Sequence, residues 1–451
     1  MSGSRVVVVG GGLAGISAAL DCVRADVSVT LVEVRPRLGG AVYSFERDGL
    51  WLDNGQHVFL RCCDSYRALL RRLGTTRDTV LQDRLTIPVL APGRPPALLR
   101  RDDLPPPLHL ARSVLRYRHL PVAQRLSAAL AMRTLGRVNT EQPAADEQSF
   151  GTWLSECGQS PQAIEALWEL IARPTLNLRA GDASLAAAAF VFRVGLLERA
   201  DAGDVGYARM PLQRVHGDAA LRALRAEGVD VRLGWRASMI EASHDRRLAV
   251  RGPGECLEAD GVVLAVPHER AARLLPQGAV RDPRDLERLG TSPIVNLHLC
   301  YDRRVLELDF TAAINSPIQY VFDRTESAGL ERGQCLAVSL SAADAEVGAS
   351  AEQLRSRFER AMSDLLPAAR HARMERFVVT REHAATFRAA PGHRAIRPAA
   401  RTGIDGLALA GAFTDTGWPA TMEGAVRSGH AAARLALATL GSERAVTEVA
   451  A

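Results

Sequence analysis

The chain contains no lysine; all 56 of its basic residues are arginine. That excludes chemistry run through a lysine Schiff base or a lysine-held water, because a guanidinium stays protonated. Cysteine is sparse and uneven: Cys22, Cys62, Cys63, Cys157, Cys256, Cys300 and Cys335 make an odd set with no CxxC pair and no Cys/His cluster. A disulfide framework and a metal site are therefore not expected, and a reducing cytoplasm fits better. No apolar run reaches the ~18 residues of a membrane span. The longest candidate, LAAAAFVFRVGLL at 185–197, is broken by Arg193. The net charge is only +5 and the arginines are interspersed with acids, so nucleic-acid binding is not indicated. Internal repeats and low-complexity segments are also missing.

What remains is globular composition, 47% hydrophobic and 24% charged, in 451 residues, a length that suggests two domains. Residues 5–9 read as a buried parallel strand. Arg5 ahead of an apolar run imitates a secretory signal, but four valines and then glycines favour a strand. Gly10, Gly12 and Gly15 form G-x-G-x-x-G and open an Ala/Leu-rich helix to about residue 25. VSVTLVE (27–33) is a second strand, and it ends in Glu33, 18 residues after Gly15. In this strand–turn–helix–strand context the physics is specific. Gly10 permits the tight turn, Gly12 lets backbone amides approach a pyrophosphate at the helix N-terminus, and Gly15 allows close helix–strand packing. Glu33 can accept hydrogen bonds from an adenosine ribose.

RPRLGG (35–40) follows, a second glycine pair that suggests backbone passing close to an extended cofactor. Arg37 there reads either as charge near the phosphates or as a solvated surface residue. In LWLDNGQHVFLRCCDSYRALLRRLG (50–74) an alternating strand leads into Asp53-Asn54-Gly55-Gln56-His57 and then an amphipathic helix. A polar row at a strand end is typical of a site wall; the plainer reading is an Asx-type turn with a buried, satisfied His57. Cys62 and Cys63 read as small core residues.

Between 76 and 206 the strand–helix rhythm stops. Residues 88–107 are proline-rich and read as loop, and 108–136 as two helices separated by Pro121, carrying Arg112, Arg116, Arg118 and Arg125. That basic amphipathic pair reads either as a membrane-surface element or as helices packed on their own domain. Residues 150–206 continue helical. HGDAALRALRAEGVDVRLGWRASMIEAS then reads helix, strand, strand, and LEADGVVLAVP (257–267) one apolar strand. Residues 291–399 hold strand-like runs (IVNLHLCY, CLAVSLS, FVVTREHAATF) and a helix near 351–366; GIDGLALAGAF (403–413) is a last parallel-type strand. The expected fold class is α/β: a Rossmann-like, glutathione-reductase-type cofactor domain (1–75, 207–275, 400–445) interleaved with an α+β substrate domain (76–206, 276–399).

The N-terminal fingerprint, Glu33 and RLGG, together with GAFTDTGWPATMEGAVRSG at 411–429, resemble the FAD-dependent amine oxidase and phytoene desaturase superfamily over nearly the whole chain. Within it, DNGQHVFLRCCDSYRALLRRLG, RPTLNLRAGDAS (173–184) and the C-terminal motif resemble the squalene-associated FAD proteins, the hydroxysqualene dehydroxylase family of bacterial squalene and hopanoid synthesis. The resemblance implies non-covalent FAD held by Gly10, Gly12, Leu13, Ala14, Gly15, Glu33, Arg37, Gly39, Gly40, Ala41, Gly55, Gln56, His57, Ala237, Gly411, Asp415, Thr421 and Met422. Asp415 falls at the carboxylate that the superfamily sets against the ribityl and phosphate part. The helix from Thr421-Met422 would aim its N–H groups and positive end at the flavin.

The departures matter. Amine oxidases resemble one another in a lysine near flavin N5 and often in an aromatic before M-E-G; here there is no lysine, and Thr421 takes the aromatic's place. The implied activity is reduction of hydroxysqualene to squalene, with an external electron donor and no nucleic-acid partner. Candidates for the acid that releases the hydroxyl are His57 and Asp53, then Glu423. The alternatives are a carotenoid-type desaturase working in the opposite redox direction and a non-enzymatic prenyl-lipid binder resembling Rab GDP-dissociation inhibitors. The expected location is cytoplasmic, with peripheral contact at the inner face of the membrane left open.

Overall fold

The structure, a computed structural model, describes residues 4–242 and 247–449, with side chains to residue 440. Residues 1–3 of the expected cofactor domain and Ser243, which ends the expected 216–243 unit, lie outside the described residues.

Four consecutive valines, Val6 to Val9, can only be buried on both faces, and they are. Strand Arg5–Val9 lies at the centre of a five-stranded parallel sheet in the order Asp230–Leu233, Ser28–Glu33, Arg5–Val9, Gly261–Leu264, Leu407–Leu409. Side chains alternate across a strand. Val6 and Val8 pack with helix Leu13–Val23 and the C-terminal helix Met422–Val449. Val7 and Val9 share the opposite core with the antiparallel strands Met239–Ala242, Leu248–Gly252 and Glu255–Ala259. The strand order reverses between Arg5–Val9 and Gly261–Leu264, and in such sheets ligands bind at that switch point, beyond the carboxyl ends of the strands.

The apolar run 257–267 is not one strand but two. Asp260 divides it: its carboxylate accepts from Arg5 N at 2.8 Å, and its own N–H donates to Arg5 O at 2.9 Å. The chain thereby passes from the antiparallel sheet into the parallel one.

A seven-stranded sheet forms the second unit, in the order Met374–Phe387, Thr291–Tyr301, Gln334–Ser341, Tyr320–Asp323, Phe310–Ala313, Thr86–Ala91, Arg94–Arg100. Its last two strands correct the reading of 88–107 as loop and add a strand pair to the helical insertion expected at 76–206. Pro95 and Pro96 are tolerated because they lie on an edge strand, and Pro88 sits just outside the short parallel ladder that Val89 and Leu90 make with Ala312 and Ala313. The helices of this region, Phe150–Glu156, Glu169–Leu176 and Leu185–Phe192 among them, gather much of the scarce aromatic content: Phe150, Trp168 and Phe192 meet with ring centroids 5.2–5.9 Å apart. Among the described residues no helix is long and apolar enough to cross a membrane.

The first and last helices of the cofactor unit touch through glycine. A Cβ on Gly429 would stand 2.2 Å from Ala14 O. Gly429→Ala is therefore expected to destabilise the protein by about 1–3 kcal/mol, read as a lower denaturant midpoint at unchanged slope.

Candidate functional site

Three stretches far apart in sequence meet at the carboxyl ends of the parallel strands. Gly10 (φ 111°) presses against Ala265 O, where a Cβ would lie 2.2 Å away. Gly39 (φ 105°) and Gly40 (φ 58°) bring the second glycine stretch against the first: Gly39 N donates to Gly11 O at 2.9 Å, and a Cβ on Gly40 would lie 2.7 Å from Gly12 Cα. Gly12 itself is less crowded, its nearest neighbour in the Cβ direction, Gly40 Cα, lying at an ordinary contact distance of 3.8 Å. The helix that begins at Leu13 and Ala14 has no side-chain cap and no acid in its first turn. An uncapped helix N-terminus approached across a bare glycine suits a pyrophosphate. Gly15 serves packing, since a Cβ there would collide with Gly10 O.

Glu33 closes the loop. Its Oε2 accepts from Gly11 N at 2.6 Å and its Oε1 from Arg35 N at 2.8 Å. Trp235 N donates to Glu33 O at 2.9 Å, so the segment carrying half-buried Ala237 runs past the end of the same strand. Arg37 stacks on Tyr43, 3.6 Å from the ring centroid, and donates to Gly40 O at 3.3 Å. Burial, with Arg35 nearby, lowers its pKa. Its charge therefore stands over the second glycine pair without an ion-pair partner among the described residues.

The 53–57 row divides into anchors and free groups. Asp53 is buried: its Oδ1 accepts from Ser44 Oγ (2.5 Å) and Leu212 N (3.1 Å), and its Oδ2 from Arg324 Nη2 (2.7 Å). Asn54 Nδ2 donates to Ala41 O and to Glu382 Oε1, both at 2.9 Å, and Asn54 O accepts from Asn296 Nδ2 at 3.1 Å. Gly55, Gln56 and His57 are different. Gln56 Nε2 and the neighbouring Asn296 Oδ1 are buried without a partner. His57 is half-buried and makes no hydrogen bond among the described residues, so the satisfied-turn reading does not describe it. Burial lowers the His57 pKa against the pull of Asp53 and Glu382, leaving the ring neutral at neutral pH. An orphaned amide donor, an orphaned acceptor and a free imidazole side by side fit a ligand that carries both kinds of group.

The C-terminal motif is shaped by Arg397. Its guanidinium donates to the carbonyls of Ala412 (3.2 Å), Phe413 (3.2 Å), Thr414 (2.5 Å) and Trp418 (2.8 Å), and stacks on Phe387. Burial pushes its pKa down to about 10. Gly411 (φ 144°) donates to Ser428 Oγ at 2.8 Å, and exposed Asp415 accepts from Gly417 N at 3.3 Å. Thr421 Oγ1 accepts from Gly424 N at 3.1 Å, so one N–H at the start of the Met422 helix is capped within the chain rather than left for a ligand.

Glu423 is not a free acid. Its side chain is fully buried and accepts from Ser65 N (3.1 Å), Tyr66 N (2.7 Å) and Arg427 Nε (2.6 Å), an arrangement that caps helix Asp64–Arg72 and occupies both carboxylate oxygens. Asp53 is committed in the same way. Of the three acid candidates only His57 has an uncommitted polar atom. Beside the C-terminal motif opens a cleft with an enclosed volume of about 70 Å³. Ala187, Phe190, Phe387 and Trp418 give it apolar walls, while the Arg394–Glu141 ion pair and Asp415 stand at its charged rim.

Arg324 and Glu382 were invisible in the sequence because their partners lie far along the chain, and Arg397 because its partners are backbone carbonyls that no side-chain pattern marks. Asn296 and His298 had a signal: they are the polar residues at alternate positions of IVNLHLCY, and so share one face.

Two buried histidines near Asp53 generate a prediction. His216 donates from Nδ1 to Leu212 O (3.0 Å) and accepts at Nε2 from Tyr66 Oη (2.7 Å); His298 donates from Nε2 to Asp53 O (3.0 Å). Burial pushes both pKa values down to about 4. Below the unfolded value of about 6.5 the unfolded chain takes up protons that the folded chain refuses. Stability is therefore complete above pH ~6.5 and is lost as pH falls towards ~4, by roughly 3 kcal/mol per histidine. Denaturant midpoints measured across that window should fall steeply, and less steeply in His298→Gln.

The family model described as flavin containing amine oxidoreductase matches residues 13–437. Hydroxysqualene dehydroxylase of Rhodopseudomonas palustris is 29% identical over 454 residues, covering 96% of this chain and 98% of that protein. Zeta-carotene desaturase of Zea mays is 24% identical, covering 94% of this chain and 82% of that protein. The solved structure of a putative protoporphyrinogen oxidase from Exiguobacterium sp. 255-15 superimposes with a TM-score of 0.70 at 19% identity, covering 98% and 100% of the two chains, which shows the shared fold.

Proposed function

For a chain that belongs to the family of flavin-containing amine oxidoreductases, and is therefore a flavin-dependent oxidoreductase whose kinship supports an FAD cofactor, we propose reduction of an allylic isoprenoid alcohol, hydroxysqualene, to squalene. The observation that carries the reading is the match to hydroxysqualene dehydroxylase, which runs over 98% of that protein's length. The missing lysine and the threonine before M-E-G argue against an amine substrate. The apolar walls of the cleft suit a hydrocarbon chain.

The residues at the strand ends fit FAD. Gly12 and the uncapped helix at Leu13 would receive the pyrophosphate, Glu33 the ribose and Arg37 the phosphate charge, while Gln56 and Asn296 would satisfy a polar ring edge. Asp415 and Gly411 would complete the site from the C-terminal motif. Reduced flavin, when bound, supplies a hydride, and an electron donor outside this chain restores it.

The chain's own part is proton delivery, positioning and exclusion of water. The C–O bond of the substrate breaks with its electron pair on oxygen, a proton converts the departing hydroxyl to water, and the allylic carbon takes up the hydride. His57 is the proton donor in this reading. Its lowered pKa makes the protonated ring scarce at neutral pH but a strong acid when present. Arg397 holds the loop beside the cleft, and Phe190, Phe387 and Trp418 keep water from the allylic cation.

The second reading, a carotenoid desaturase, draws on the match to zeta-carotene desaturase across 94% of this chain. The two differ in redox direction. Anaerobic photoreduced holoprotein mixed with hydroxysqualene should form squalene in step with flavin reoxidation. Bleaching of the oxidised protein by a carotenoid precursor, with no squalene formed, would favour the desaturase. Under the first reading turnover rises as pH falls towards the His57 pKa, which burial holds below the ordinary histidine value, and levels off beneath it; His57→Ala keeps its flavin absorbance, loses about 10²-fold in turnover and flattens that pH profile. Unchanged turnover would remove His57 from the role.

A further inference from the structure

Large apolar side chains are exposed at eleven described positions, and seven of these fall between residues 98 and 130. The clustering follows from helix Val122–Leu135, which is apolar on two faces. Ala128, Ala131, Met132 and Leu135 face the core. Val122, Leu126 and Leu130 recur every fourth residue on the opposite face, 64%, 52% and 66% exposed. Leu108 and Leu115, 55% and 48% exposed, extend the patch onto the preceding helical segment. Arg125 locks the two helices together by donating to Leu120 O at 2.7 Å and Leu115 O at 2.9 Å.

The charge around this patch departs from the mixing seen elsewhere. Residues 104–140 contain no Asp or Glu and six arginines: Arg112, Arg116, Arg118, Arg125, Arg133 and Arg137. All but Arg125 are exposed, and none of the six forms an ion pair among the described residues. The acids that bound the stretch are engaged elsewhere, Asp103 with Arg84 and Arg101, and Glu141 with Arg394.

We propose that the face built from the 108–115 segment and helix Val122–Leu135 docks on an anionic lipid bilayer, with Leu115, Val122, Leu126 and Leu130 inserted below the headgroups and the flanking arginines paired with lipid phosphates. An apolar stripe rimmed by unpaired cations matches an interface that is apolar inside and negative at its surface. A second copy of the chain does not match it, because a self-complementary contact would set unpaired arginines against arginines. The bilayer is also where an isoprenoid substrate dissolves, but the docking face is argued from exposure and charge alone and does not rest on the proposed reaction.

The test is flotation of the full-length holoprotein with vesicles of phosphatidylcholine, alone or mixed with phosphatidylglycerol. The protein should float with the anionic vesicles, less with the neutral ones, and less as salt is raised. The triple variant Val122→Ser/Leu126→Ser/Leu130→Ser should keep its flavin absorbance and melting temperature while its partition coefficient falls at least about tenfold. Arg112→Gln/Arg116→Gln/Arg133→Gln should lose the preference for anionic lipid. Failure of the wild type to float, or equal flotation of the triple variant, overturns the proposal. So does a dimer that the triple substitution dissociates with lipid binding unchanged, since the face would then belong to a second copy. Squalene formation in detergent without flotation overturns docking alone; flotation without squalene overturns the proposed reaction alone.

Discussion

The buried pair of Asp53 and Arg324 is the joint on which the two units of this protein depend. Arg324 follows strand Tyr320–Asp323 of the seven-stranded sheet, Asp53 ends the hairpin of Ser44–Arg47 and Leu50–Asp53, and they meet at 2.7 Å with both side chains under one tenth exposed. Removing two charges from water is costly, and such a pair is stable only when its other hydrogen-bonding atoms are also engaged. Here Ser44 and Leu212 complete the Asp53 carboxylate, His298 donates to the Asp53 backbone carbonyl, and Arg324 also donates to Ala208 O, so that only its Nε lacks a partner among the described residues. One joint thus fixes the sheet, the hairpin and the segment at 205–213 relative to one another.

The free groups of the site follow from that commitment. Because Asp53 and Asn54 are held on several sides, the next three residues leave the strand end in one direction, and Gln56 and His57 emerge without internal partners. Uncommitted polar atoms at the carboxyl ends of parallel strands point to a ligand. Arg397 does the corresponding work for the C-terminal motif, gathering four carbonyls that would otherwise turn inward unpaired. Without lysine, internal cation work of this kind falls to arginine, whose planar fork can serve several acceptors at once. The same arginine usage leaves a different mark outside, where helix Val122–Leu135 sets unpaired cations around an apolar stripe.

Much of the cofactor unit was legible in the sequence, because its signals are local. Four valines ahead of three spaced glycines demand a buried strand, a tight turn and a helix packed at close range, whatever the rest of the chain does. Gly39 and Gly40 suggested backbone passing close to a cofactor; in the structure Gly40 packs against Gly12, a contact the sequence did not indicate. The strands around Pro88, Pro95 and Pro96 were not legible. Proline forbids a central strand but not an edge, and edge position is decided by neighbours more than two hundred residues away.

The sequence alone determined that the chain folds as an α/β protein around a dinucleotide fingerprint, lacks the amine of a lysine, and ends in a motif that returns to the same site. Only the tertiary structure decided which polar residues of that site are free. Asp53, His57 and Glu423 look alike as candidate acids in one dimension. Folding surrounds two of them with backbone N–H groups, hydroxyls and guanidinium groups from distant segments, and leaves the third with none. A side chain's availability depends on what reaches it through space, and that is set by packing rather than by spacing along the chain.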